Sequence, residues 1–317
     1  MRILVTGANG FAGRHLIRLL GQQSDVELFA GVHRIDEVAT EFTREFNAQV
    51  YPFDLGDERS IQSLIQAVRP EQTYHLAGIA KTFGVSVQEY FRLNSLGAYF
   101  LGKSILETCG KDARLLYVSS AGVYDATHSH ILTESTPVQP SSEYGASKAS
   151  AEAFLWSLYA KGLDVVMVRP FNHTGPGQMR GFVCPDLVYR LKQSLARIGS
   201  GEVPQLEVGK LHSVRDFTDV RDVVAAYQLI MRDFQSGSIV NVASGKGIRV
   251  QEIIDLLVHE VAGLKDVQLI SALEQSSRTD DDVVVGDSTL LQRTTGWEPR
   301  YSMKDSLLEL WNESFFD

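Results

Sequence analysis

Short β-branched runs alternate with amphipathic stretches through the first half of the chain. Residues 3–6, 26–32, 49–53, 73–76, 115–119 and 164–169 are short and apolar, as buried strands are. Between them, 11–21, 35–46, 59–68, a long segment within 86–109 and about 142–160 carry helical spacing. Strand and helix in alternation predict an α/β fold with a parallel sheet covered on both faces. Right-handed crossovers make that sheet doubly wound, with a ligand crevice at the carboxyl ends of its strands.

The rhythm changes after Arg169-Pro170. Residues 171–181 hold three glycines and a proline and read as a functional loop. Helices at 184–198, about 219–232 and 250–261, short strands at 205–208 and 238–242, and a mostly helical tail over 287–317 follow. No repeat or clear linker intervenes, so a smaller C-terminal lobe packed tightly on the first is expected.

Composition removes several classes of function. The 317 residues are 44% apolar and 22% charged, the range of ordinary folded domains, which excludes disorder and coiled coil. A net charge of −9 leaves no general basic face for a nucleic acid, although local donors can still hold a small phosphate ligand. Cys109 and Cys184 form neither a disulfide framework nor a metal-ligand spacing, and no metal is expected. No uninterrupted apolar run reaches 18 residues, and the first residues lack a signal-peptide core. The expectation is a cytoplasmic protein without a membrane partner.

The first candidate site opens helix 11–21. Thr6-Gly7-Ala8-Asn9-Gly10-Phe11-Ala12-Gly13 directly follows the first strand. Gly7 permits a sharp turn, Gly10 lets backbone amides approach a pyrophosphate, and Gly13 lets the helix lie close to the sheet. Asn9, Phe11 and Ala12 complete the expected cofactor loop. At the end of the second strand, a reader of the ribose 2′-OH would be acidic. Val32-His33-Arg34 stands there instead. Arg34 can pair bidentately with a 2′-phosphate, which favours NADP(H), with NAD(H) as a second expectation. The competing account is a solvated arginine at a strand end. Asp54-Leu55 lies where carboxylate and backbone would grip adenine, and a helix N-cap at Asp54 or Asp57 is the alternative.

The second candidate site pairs Tyr144-Gly-Ala-Ser-Lys148 with Ser119-Ser120 at the end of the fifth strand. Positions i and i+4 share a helix face, so Lys148 can stand near the Tyr144 phenol and lower its pKa. Ser120 and Tyr144 together would hold a carbonyl or carbinol oxygen and exchange its proton. Three other polar features are ambiguous. His173 reads as a phosphate contact or as a loop histidine satisfied by backbone, and Lys81 as a substrate contact or a solvated cation. Asp280, Asp281 and Asp282 share no face and read as a solvated turn.

Gly7-x-x-Gly10-x-x-Gly13, Asp54-Leu55, His75-Leu76-Ala77-Gly78, Ser119-Ser120 and Tyr144-x-x-x-Lys148 together resemble the extended short-chain dehydrogenase/reductases over essentially the whole chain. Val168-Arg-Pro-Phe-Asn-His-Thr-Gly-Pro-Gly-Gln178 and Val214-Arg-Asp-Phe-Thr-Asp-Val220 look like the branch acting on nucleotide-linked hexoses. The resemblance implies an NADP-binding Rossmann domain over 1–171 with 213–245, and a nucleotide-sugar-binding lobe over 172–212 with 246–317. It implies that Leu76, Ala77, Gly78 and Pro170 line the cofactor, that Asn172 faces a sugar diphosphate, and that Arg215 and Arg278 meet phosphates. Thr279 stands where a proline is expected after Arg278.

One missing side chain narrows the chemistry. A 4,6-dehydratase needs a positioned acid/base carboxylate. Enzymes of that kind resemble this chain near Ser120 but carry Glu two residues later, and the related 3,5-epimerase/reductases carry Cys there. Here the residue is Gly122. The expected activity is NADPH-dependent reduction of the C4 ketone of a nucleotide-linked 4-keto-6-deoxyhexose, GDP-linked by resemblance. A 4-epimerase, a reductase of dTDP- or UDP-sugars, and a non-catalytic NADP sensor are the alternatives. The helices within 86–109 and over 142–160 carry Tyr99, Phe100, Leu101, Phe154, Leu155 and Trp156, more apolar surface than one sheet face covers. A homodimer across them is expected.

Overall fold

The computed structural model describes residues 1–80, 84–125, 131–199, 203–271 and 283–313. The first half runs β1 (Arg2–Thr6), α1 (Phe11–Leu20), β2 (Glu27–Val32), α2 (Glu37–Phe46), β3 (Gln49–Pro52), α3 (Glu58–Val68) and β4 (Gln72–His75). It continues with α4 (Val87–Tyr90), a π-helical turn (Phe91–Leu96), α5 (Gly97–Cys109), β5 (Arg114–Val118), β6 (Ile131–Leu132), α6 (Glu143–Tyr159) and β7 (Asp164–Pro170). The second half holds β8 (Asn172–Thr174), α7 (Val183–Arg197), β9 (Gln205–Val208), β10 (Val214–Asp219), α8 (Val220–Asp233) and β11 (Ile239–Val242). After these come β12 (Gly247–Arg249), α9 (Val250–Asp255), β13 (Gln268–Ser271), β14 (Val283–Gly286), α10 (Thr289–Thr295) and α11 (Met303–Asn312).

Seven parallel strands form the main sheet in the order β11-β7-β5-β4-β1-β2-β3. Alternation along each strand sends side chains to two separate cores. Ile3, Val5, Leu116, Val166 and Val168 pack with residues of α1, α2 and α8. Leu4, Leu115, Tyr117, Val165 and Met167 pack with residues of α3, α5 and α6. That is the period-2 logic of a buried strand carried through the whole sheet. A third core joins α7, β9, α9 and α11, and Leu291 and Trp297 cross over to join the core under α1 and α8.

The long segment expected within 86–109 is helical but carries the π turn at Phe91–Leu96, and the helix expected at 250–261 ends in a second one, Leu256–Val261. Several strands depart from expectation. β8 lies inside the stretch read as loop, and β10 sits in a segment read only as a motif. β10 holds together β8, β12 and β14. β8, β10 and β12 are short and carry polar residues, and β14 is only four residues long, so no alternation announces them. Asp216 on β10 is fully buried and accepts bonds from Ser244, Gly245 and Gly286 backbone N–H groups at 2.8–3.2 Å. Distant partners define this sheet.

Candidate active site

The sheet order reverses between β1 and β4, and the glycine loop leaves β1 at that point. Gly7 has φ +69°, and a Cβ there would stand 2.7 Å from Ala77 N. A Cβ on Gly13 would overlap Gly7 O and stand 2.8 Å from Ala8 O. Bare backbone therefore brings α1 down onto the loop. Gly10 is the N-cap of α1, no side chain caps it, and the first turn holds no acid. The N–H groups of Phe11, Ala12 and Gly13 are left for an external anion, which fits a dinucleotide pyrophosphate. The Phe11 ring stacks on His173 at 5.8 Å between centroids, nearly parallel. His173 Nδ1 pairs with Phe171 O at 3.1 Å, and burial lowers its pKa, so it is a neutral, backbone-satisfied histidine.

His33 and Arg34 are exposed just beyond β2. Asn9 Nδ2 donates to Arg34 O at 3.3 Å and to Asp36 Oδ2 at 2.8 Å. The sequence offered no acid directly after β2, yet folding brings Asp36 against the glycine loop. Its other oxygen caps α2 by accepting from Ala39 N at 2.8 Å. A single residue thus reads as an ordinary N-cap while also flanking the ribose side of the crevice. After β3, Asp57 caps α3, whereas Asp54 Oδ1 accepts from Gly56 N at 2.8 Å in the turn before it. Leu55 is buried against Gly97.

Ser120 ends the stretch after β5 and caps a short 3₁₀ turn, its Oγ accepting from Gly122 N at 3.0 Å. Tyr144 sits in the first turn of α6, whose N-cap is Ser142. A Cβ on Gly145 would overlap Gly122 O, so the helix start lies directly on the 3₁₀ turn. This close approach sets Tyr144 beside Ser120, near enough for the hydroxyl to favour the ionised phenol. Position 122 faces the pair: a Cβ there would be 3.3 Å from Ser120 Oγ and 3.8 Å from the Tyr144 ring. Tyr90 packs edge-on against Tyr144 at 6.2 Å.

Lys148 lies one turn further on and is 6% exposed. Its Nζ donates to Val118 O at 2.8 Å and stands 5.1 Å from the centre of the Tyr117 ring. Burial pushes its ammonium down to about 8, with Glu152 opposing. The expected lowering of the Tyr144 pKa by Lys148 is not seen. Burial raises the phenol above its ordinary value, and the neighbouring Ser120 hydroxyl works the other way. The physical reason is the direction of Lys148, which turns to the strand carbonyl.

The loop after β4 is tied to α6 by a residue that sequence reading passed over. Asn94, in the π turn, accepts from Ile79 N at 2.7 Å and donates to Ile79 O at 3.0 Å and Ser147 Oγ at 3.1 Å. Leu76 and Ala77 lie directly against Gly7 of the glycine loop, and Gly78 lies beside Asn94 and Lys148. A buried Asn within a helical pattern was the only signal. Pro170 is buried at the end of β7, and exposed Asn172 pairs in register with Phe217, two residues from half-buried Arg215. Lys81, Arg278 and the three acids at 280–282 lie outside the described residues.

A parallel sheet with a glycine-loop crevice and a Ser–Tyr–Lys cluster defines an NAD(P)-dependent oxidoreductase of the short-chain dehydrogenase/reductase kind. Residues 4–310 match the family described as GDP-mannose 4,6 dehydratase, and the chain belongs to that family. It is 32% identical to the GDP-6-deoxy-D-mannose reductase of Pseudomonas aeruginosa, over 96% of this chain and 94% of that relative. It is 29% identical to the GDP-6-deoxy-D-talose 4-dehydrogenase of Aggregatibacter actinomycetemcomitans, over 98% and 96%. Among solved structures, RMD from Pseudomonas aeruginosa complexed with NADPH superposes with a TM-score of 0.79 at 27% identity, covering 98% of this chain and 97% of that one. UDP-glucose 4-epimerase from Thermotoga maritima with UDP-glucose gives 0.82 at 26%, with the same coverage. Its relatives are named reductases, dehydrogenases and epimerases, so the non-catalytic sensor is set aside.

Proposed function

We propose that this protein is an NADPH-dependent 4-ketoreductase of a nucleotide-linked 4-keto-6-deoxyhexose, GDP-4-keto-6-deoxy-D-mannose giving GDP-D-rhamnose. The observation that carries this reading is the bare position 122 facing Ser120 and Tyr144. Dehydration at C5–C6 needs an acid/base group there, and glycine supplies none. Reduction at C4 needs only a hydride and a proton. Bound NADPH supplies the hydride. Tyr144 gives its phenolic proton to the C4 oxygen as the C–H bond forms, Ser120 donates a hydrogen bond to that oxygen, and Lys148 holds the ribose. Asn172, Arg215, Arg278 and Lys81 are the residues proposed to meet the sugar and its diphosphate, with 172–212 and 246–317 as the substrate lobe.

A specific observation favours one second reading. Asp36 beside Asn9 is an acid on the ribose side of the crevice, as a NAD-holding 4-epimerase would carry. Incubation with NADPH and separately prepared GDP-, dTDP- and UDP-4-keto-6-deoxyhexoses, with products identified by NMR, separates the readings. The GDP-linked ketone is expected to be consumed with one NADPH per product. Turnover of only the dTDP- or UDP-linked ketones would reassign the substrate, and inversion of a UDP-hexose at C4 without net NADPH use would make it an epimerase.

Arg34 gives the cofactor test. Arg34→Ala is expected to weaken NADPH about tenfold or more relative to NADH, because a charge-assisted bond to the 2′-phosphate contributes about 1.5–3 kcal/mol. Fluorescence titration with both cofactors measures it, and equal weakening of the two would remove Arg34 from that role.

The proposed assembly is a homodimer across α5 and α6. Leu101 and Leu155 are fully buried under the sheet, while Tyr99, Phe100 and Phe154 are half-buried. Tyr99 packs at a tilt against Phe100 and Phe154, with ring centroids 5.7 and 5.3 Å apart. Trp156 and Tyr159 remain 38% and 39% exposed. Apolar rings left open on two adjacent helices suit a self-complementary two-fold contact. Light scattering at micromolar concentration is expected to give twice the chain mass, and Trp156→Glu to shift it toward the monomer. A monomer in the wild type ends this reading.

A further inference from the structure

Behind the site, α6 carries a buried charge for which the proposed reaction has no use. Glu152 lies four residues after Lys148, on the same helix face, and is 3% exposed. Its Oε1 accepts from Ser119 Oγ at 2.5 Å and from Arg169 Nε at 3.0 Å, and its Oε2 accepts from Arg169 Nη2 at 2.6 Å. Arg169, on β7 just before Pro170, is as deeply buried and places its guanidinium 4.6 Å over the Tyr124 ring. Tyr124 donates to Asn241 Oδ1 at 2.6 Å, and Asn241 Nδ2 donates to Leu132 O and Asp287 O. A continuous run of buried polar groups therefore joins α6, the end of β5, β7 and the second sheet.

Such a pair is a poor source of stability, because desolvation offsets most of what the two charges gain from each other. It does fix geometry and field. Ser119 precedes Ser120, so the Glu152 carboxylate pins the strand end from which the candidate hydroxyl projects. Among the described residues, Lys148 is faced by Glu152 from α6 and by the Tyr117 ring and Val118 O from β5. From β4 comes His75, which burial holds neutral at about 3. Burial raises the Tyr117 phenol, which leaves Glu152 as the acidic group set against the ammonium.

We propose that Glu152 is a positioning residue: anchored by Arg169 and Ser119, its carboxylate keeps the buried Lys148 ammonium charged and fixes the strand end that carries Ser120. The inference rests on Lys148 belonging to the site. It extends the expected Ser–Tyr–Lys set by a fourth member that touches neither substrate nor cofactor.

The test reads Lys148 directly. Lysines labelled with ¹³C at the ε position are titrated by NMR in the cofactor-free protein, with the Lys148 signal assigned from its loss in Lys148→Met. In Glu152→Gln the midpoint is expected to fall by about one pH unit, since removal of a nearby opposite charge disfavours the ammonium. The alkaline limb of turnover is expected to move with it. Glu152→Gln leaves Arg169 buried without a counter-charge and can prevent folding, so Glu152→Gln with Arg169→Met is the companion variant. It removes both charges and should move the midpoint in the same direction by less. An unchanged midpoint in a folded variant overturns the proposal, as does a shift of equal size in Ser119→Ala, which keeps the carboxylate. The midpoint needs no substrate, so its result stands apart from whether a 4-ketone is reduced.

Discussion

Tyr144→Phe is expected to lower turnover by about 10²–10⁴-fold while NADPH binds nearly as in the wild type. The phenol stands beside Ser120 and its ring packs on Tyr90, and phenylalanine keeps the ring while deleting the proton. The structure sharpens this expectation. Burial holds the phenol above its ordinary pKa, so it carries its proton across the neutral range. Single-turnover kinetics with NADPH and the ketone, beside fluorescence titration of NADPH alone, make the measurement. Retention of more than a third of the wild-type turnover, with chemistry shown to be rate-limiting, would remove Tyr144 from its role.

Gly13→Ala should damage cofactor binding and stability together. The added methyl would meet Gly7 O and Ala8 O, both backbone atoms that cannot rotate aside. Helix α1 must back away from the loop, carrying the Phe11–Ala12 amides off the pyrophosphate. Overpacking of this kind costs about 1–3 kcal/mol, against a helix-propensity gain of about 1 kcal/mol for alanine over glycine. Sterics win. The expected result is a lower melting temperature and at least about a tenfold loss in NADPH affinity, about 1.4 kcal/mol. Gly209→Ala, where nothing lies within 4 Å of the new methyl, is the matched control. A Gly13→Ala protein as stable and as tight-binding as that control would show that α1 and the loop can separate at no cost.

The parts of the fold legible in the sequence are those fixed by local pattern. Strands such as Ile3–Val5 and Leu115–Val118 alternate between two cores, and the glycine spacing of 7, 10 and 13 requires a helix resting on bare backbone. The illegible parts are set by distant partners. Nothing in the local pattern marks Asp216 as buried, yet the N–H groups of Ser244, Gly245 and Gly286 converge on it. Asp36 reads as a helix cap until Asn9 reaches it. The direction of Lys148 was illegible for a related reason. Helical spacing fixes which face a side chain leaves from, and a long flexible stem then chooses among the acceptors that tertiary structure offers, here Val118 O.

The bare α-carbon of Gly122 has a consequence for how the protein obtains work. On the proposed reading it cannot generate its own electrophile, since no side chain at that position can strip a C5 proton or expel a hydroxyl. An upstream dehydratase must make the ketone and release it, and the intermediate then crosses solvent to reach Ser120 and Tyr144. Flux is therefore governed by supply and capture. Such a protein gains little from a faster hydride step and much from a tight grip on the nucleotide end of a scarce, transient substrate.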